Sequence, residues 1–92
     1  MNLKQLQYFV QVARHGSVSH AATALRMGQP ALSRHIRALE VELRRSLFHR
    51  NGRGVVLTDA GARFLSHAQG ALGQLEIARA ALEETDGDLV GR

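Results

Sequence analysis

Four residues, Met27-Gly28-Gln29-Pro30, restrict the fold of this chain most, because they leave almost no room between two helical patterns. Proline is welcome in the first turn of a helix, where its missing N–H would have no intrahelical partner. Upstream, Ser17 fits an N-cap for a short helix from Val18 to Arg26, with Ala21, Ala22 and Leu25 facing inward. Downstream, a helix from about Pro30 to Arg45 carries the stripe Leu32, Ile36, Leu39, Leu43, spaced by four, three and four. Small alanines on the first helix let the second approach closely. Two helices joined so tightly make a helix-turn-helix.

The flanks complete a larger unit. Leu3, Leu6, Phe9, Val10 and Ala13 recur at helical spacing and predict a preceding amphipathic helix, ended by His15-Gly16. After residue 45 the pattern becomes strand-like, in Leu47-Phe48-His49-Arg50 and Val55-Val56-Leu57. Asn51-Gly52-Arg53-Gly54 lies between them, and Asn-Gly between apolar runs signals a hairpin. Thr58 then caps a last helix, with Asp59 in its first turn, expected to reach about residue 85 and to end at Asp86-Gly87-Asp88. The predicted fold is mainly α: a winged helix-turn-helix of three helices and a two-stranded hairpin over 1–58, a long helix over 59–85 and a linker over 86–92.

Charge is divided along the chain. Residues 1–58 hold nine Lys/Arg and two acids, Glu40 and Glu42; residues 59–92 hold three arginines and six acids. A basic body on a small domain points to a polyanionic partner. The absence of cysteine removes disulfides and thiolate metal sites, and suits a reducing cytoplasm. No apolar run approaches the length of a membrane span, and no secretory signal is expected at the start. His15, His20, His35, His49 and His67 form no His-x-x-x-His pair, so no metal and no cofactor are expected. No strained Gly-x-Ser-x-Gly turn or phosphate-binding Gly-x-x-x-x-Gly-Lys loop suggests an enzyme.

The third helix carries the chemistry. Each residue advances about 100°, so Pro30, Ser33, Arg34 and Arg37 fall opposite the aliphatic stripe, and Gln29 stands just before the first turn. The N-terminal end of a recognition helix enters the major groove, where Gln can pair with adenine and Arg with guanine. Backbone amides at the helix start can hold a phosphate. Arg50 and Arg53 border the hairpin tip, and a short arginine-bearing loop suits a narrow minor groove. His35, beside Arg34, could also approach a duplex.

The last helix has a stripe Phe64, Ala68, Ala71, Leu75, Ala78, Leu82 at alternating steps of four and three, a heptad seam. So long a helix cannot bury this stripe against so small a body. Pairing with a second copy is the simplest solution, and would set two recognition helices on a pseudo-palindromic operator.

These strings also resemble the N-terminal part of LysR-type transcriptional regulators over nearly the whole chain. The resemblance rests on Leu6-Gln7-Tyr8-Phe9, Gly16-Ser17-Val18-Ser19-His20-Ala21-Ala22, Gln29-Pro30-Ala31-Leu32-Ser33-Arg34-His35-Ile36, Leu39-Glu40-Val41-Glu42-Leu43, Leu47-Phe48-His49-Arg50 and Leu57-Thr58-Asp59-Ala60-Gly61. It implies base or backbone contacts from Gln29, Pro30, Ser33 and Arg34, phosphate contacts from neighbours such as Arg37, and wing contacts from Arg50 and Arg53. It also implies a double-stranded DNA operator as partner, dimers through the long helix, and pairing of dimers into tetramers in the full-length protein. A small-molecule inducer would act only through an effector-binding domain expected beyond residue 92. Two departures stand out: Gly28 replaces the family's usual serine, and Arg44-Arg45-Ser46 replaces a frequent Gly-x-x segment, where the turn is expected to differ and to be more basic. A second reading remains open, a winged-helix module that docks proteins through its long helix.

Overall fold

Asn2, Ser17 and Thr58 each accept a backbone amide three residues on, from Gln5, His20 and Gly61 at 2.9, 3.1 and 2.9 Å. Each opens a helix, because the side-chain oxygen satisfies an amide that has no partner in the first turn. The computed structural model describes residues 1–90, with side chains described through Glu83. Its elements are α1 (Leu3–His15), α2 (Val18–Leu25), α3 (Gln29–Leu43), β1 (Phe48–Asn51), β2 (Gly54–Leu57) and α4 (Asp59–Val90). The order matches the winged helix-turn-helix expected from sequence.

Several boundaries differ from expectation, and α3 ends at Leu43 rather than about Arg45. The turn between α2 and α3 is Arg26-Met27-Gly28, so Gln29 is the first residue inside α3 rather than the last before it. β1 and β2 pair antiparallel from Phe48 with Leu57 to Asn51 with Gly54, leaving Gly52-Arg53 as the loop. At this tip the Arg53 amide donates to Asn51 Oδ1 at 2.8 Å, so the asparagine stabilises the turn from its first corner. α4 does not end near residue 85 but runs to Val90. A lone glycine costs a formed helix only about 1 kcal/mol, and Asp-Gly-Asp is a weak stop. The last two residues of the expected linker lie outside the described residues.

The core forms where the stripes meet. Phe9, Val12, Leu32, Leu39 and Leu47 are fully buried, joined by Val10, Val18, Ala21, Ala22, Ile36, Val55 and Ala68. Phe9 is the hub: its ring lies 5.2 Å from Phe48 on the wing and 5.2 Å from Phe64 on α4. The expected dimer seam is therefore divided. Half-buried Phe64 packs on this core and Ala68 is buried in it, so both already meet a surface within the chain. The reason is that the body already presents Phe9 and α1 to the first turns of α4. Further along, Ala71, Leu75, Ala78 and Leu82 are exposed as α4 leaves the body, within a molecule 57 Å long.

Two helices end on an arginine in the left-handed conformation, Arg26 (φ 57°) and Arg44 (φ 56°). At Arg44 the amides of residues 44 and 45 bond back to the carbonyls of Val41 and Glu40 at 3.2 and 3.1 Å. The arginine thus takes a conformation that glycine enters without steric penalty. Replacing it with glycine relieves about 1–2 kcal/mol of backbone cost and adds roughly 0.5–1 kcal/mol of unfolded-chain entropy. The expected result for Arg44→Gly is a net gain of roughly 0.5–1 kcal/mol in urea unfolding; a loss would contradict this account of the turn.

Candidate nucleic-acid interface

The candidate surface is built by three elements that the core locks together. α3 buries Leu32, Ile36 and Leu39, which leaves Pro30, Arg34 and Arg37 exposed on the opposite side. Ser33 is half-buried on the flank that faces the wing. Gly28 caps α3 without a side-chain hydrogen bond, since glycine carries no side-chain acceptor.

The wing is held against the helices at both strands. On β2, the Val55 amide donates to the Gly16 carbonyl at 3.0 Å, fastening the hairpin to the turn between α1 and α2. Before β1, the Glu40 carboxylate on α3 accepts the amides of Leu47 and Phe48 at 2.7 and 3.3 Å. Thr58 closes the base, its amide donating to the Leu47 carbonyl at 3.0 Å and its hydroxyl to the Ser46 carbonyl at 2.6 Å.

Two adjoining clefts result. One, about 90 Å³, is lined by Val18, Ser33, Ile36, Arg37, Glu40, Phe48, Arg50 and Val55. The other, about 220 Å³, is lined by Ser17, Val18, Ser19, Gln29, Arg50, Asn51, Arg53, Gly54 and Val55. Gln29, Ser33, Arg37, Arg50 and Arg53 are thus brought to one surface, while Pro30 and Arg34 lie exposed on α3 outside both clefts. His35 is turned elsewhere: half-buried, it meets the ring of Tyr8 on α1 at 5.0 Å. Glu40 and Ser19 were not singled out from sequence. The signal for Glu40 was present, since it is one of only two acids in the basic front of the chain.

Four arginines and one carboxylate, Glu40, set the charge of this surface. Among the described residues the ion pairs join the N-terminus to Glu42 and Arg79 to Glu76 and Glu83, and none involves Arg34, Arg37, Arg50 or Arg53. Among the described residues there is also no group of three or more His, Asp or Glu placed to hold a metal, and no helix long and apolar enough to cross a membrane.

This arrangement can be compared with known proteins. The sequence model of the bacterial regulatory helix-turn-helix proteins of the lysR family matches residues 3–62. The chain belongs to the LysR family. It carries the winged helix-turn-helix DNA-binding domain of a LysR-type transcriptional regulator. It is 46% identical over 92 residues to an uncharacterized HTH-type transcriptional regulator from the ibpB-leuC intergenic region of Azotobacter vinelandii, covering all of this chain and 64% of that one. It is 41% identical to the nitrogen assimilation regulatory protein nac of Escherichia coli (strain K12), covering all of this chain but 30% of the relative. The crystal structure of the BenM DNA-binding domain with benA site 1 DNA superposes with a TM-score of 0.87 at 36% identity, over 91% of this chain and 98% of that one. The chain therefore spans less than two thirds of the length of these two regulators.

Proposed function

We propose that this LysR-family chain reads a specific double-stranded DNA sequence, with α3 in the major groove and the wing at the minor groove. The observation that carries the reading is the set of exposed arginines 34, 37, 50 and 53, which no carboxylate pairs among the described residues. Unpaired, these guanidiniums leave their charge for phosphates and base edges. A similar domain, sharing 36% of its sequence, was crystallised as a DNA complex.

In this reading Gln29, Ser33 and Arg34 meet base edges, Pro30 packs at the entry of the helix into the groove, Arg37 and Arg50 hold phosphates, and Arg53 probes the minor groove. Ala71, Leu75, Ala78 and Leu82, exposed along α4, pair with a second copy and set two half-sites on a pseudo-palindromic operator. The regulator that carries this domain works in the cytoplasm.

Selection of bound duplexes from a randomised pool, followed by titration against salt, tests the reading. A recovered motif with two half-sites and a steep loss of affinity with salt is the expected result. Arg37→Ala should weaken binding on all duplexes alike and lower the salt slope by about one. No binding even at low salt would favour a protein-docking module instead.

A further inference from the structure

We infer that Glu40 is a positioning residue for DNA recognition: it fixes the wing to the recognition helix and so sets the spacing between the side chains that enter the two grooves. The inference rests on the DNA-binding reading above and assigns within it a role to an acid whose carboxylate is bonded to the chain's own backbone.

Glu40 serves the chain reversal after α3 twice. Its carbonyl accepts the Arg45 amide at 3.1 Å, and its carboxylate accepts the amides of Leu47 and Phe48 at 2.7 and 3.3 Å. These amides belong to the residues that bring the chain into the wing: Leu47 is fully buried, and Phe48 opens β1 and packs its ring on Phe9. One side chain on α3 therefore holds the path into β1, while Val55 holds β2 to the α1–α2 turn.

The same carboxylate lines the cleft that Ser33 and Arg37 of α3 share with Arg50 of the wing. Its negative charge opposes a polyanion at this surface. Whatever Glu40 contributes to binding must therefore come through geometry. The bond to the Leu47 amide, at 2.7 Å, has the length of a charge-assisted bond, and the longer one to Phe48, at 3.3 Å, adds a second anchor, which suits a part that fixes a spacing. Glutamine keeps one acceptor oxygen without the charge; alanine keeps neither.

A double-substitution cycle tests this on the full chain, using a duplex recovered by selection from a randomised pool. Arg53→Ala is made in the unsubstituted chain, in Glu40→Gln and in Glu40→Ala, and folding of each is followed by circular dichroism. If Glu40 places the wing, Arg53→Ala weakens binding by roughly tenfold in the unsubstituted chain, by less than about threefold in Glu40→Gln and by less than about twofold in Glu40→Ala. Binding of Glu40→Gln to a scrambled duplex should stay level or tighten, since a negative charge is gone. Should Glu40→Ala not fold, the glutamine cycle decides alone. An equal factor for Arg53→Ala in every folded background overturns the inference while leaving the DNA-binding reading intact. Failure of the unsubstituted chain to bind any duplex overturns both.

Discussion

Gly61→Ala should destabilise the chain by about 3 kcal/mol or more, although alanine is the better helix former by about 1 kcal/mol. A methyl group at residue 61 would stand 2.1 Å from the Leu47 carbonyl oxygen and 3.0 Å from its carbon. That carbonyl cannot simply retreat, because it accepts the Thr58 amide at 3.0 Å and belongs to a fully buried leucine. The first turn of α4 and the entry to the wing must separate to admit the methyl. A fall in melting temperature of roughly 10–25 °C would follow for a domain of this size. Gly70 and Gly73 supply the contrast: nothing lies within 4 Å of a methyl at either position. Alanine there should raise stability by roughly 0.5–1 kcal/mol through helix propensity alone. Equal effects at residues 61 and 70 in thermal unfolding would refute the packing of α4 on the wing base.

Gly54→Ala should be almost as severe and should also reach function. Gly54 has φ 154°, a region open mainly to glycine, and a methyl there would come within 2.2 Å of the Gly16 carbonyl oxygen. The backbone strain costs about 1–3 kcal/mol, and the clash adds to it. The Gly16 oxygen is the one that Val55 uses to anchor β2, so relief of the clash lifts the wing from the α1–α2 turn. A total near 3 kcal/mol is expected in urea unfolding. Under conditions where the variant remains folded, affinity for the selected duplex should drop roughly tenfold as Arg50 and Arg53 lose their placement. Gly52→Ala, at the open tip with nothing within 4 Å of its methyl, should leave both quantities nearly unchanged.

These two glycines show where sequence pattern stops being informative. The stripe Leu32, Ile36, Leu39 was legible because helical periodicity reports burial directly, and all three are buried. The hairpin was legible because turn residues interrupt apolar runs, although Asn51 and Gly54 join the strands and leave only Gly52-Arg53 as the loop. The close approach of Gly61 to Leu47 was not, since it depends on where the chain returns after a reversal. Glu40 was missed for the same reason: its partners lie seven and eight residues on, beyond any local repeat. The seam on α4 was half legible. Periodicity identified an apolar face but could not say whose surface covers it, and the ring of Phe64 packs against Phe9 of the same chain. The turn at Arg44 was expected to differ because glycine is absent there, yet arginine adopts the left-handed conformation and the chain reverses on it.

Arg34→Ala is the sharpest test of base reading by the outward face of α3. Binding would be measured for the unsubstituted chain and for this variant, on the selected duplex and on its single base-pair replacements. The account predicts a loss of about 1–3 kcal/mol on the selected duplex, with discrimination erased at one base pair and retained elsewhere. A loss of equal size on every duplex, with all preferences intact, would mean that the guanidinium at residue 34 only holds a phosphate, and would contradict base reading from this position.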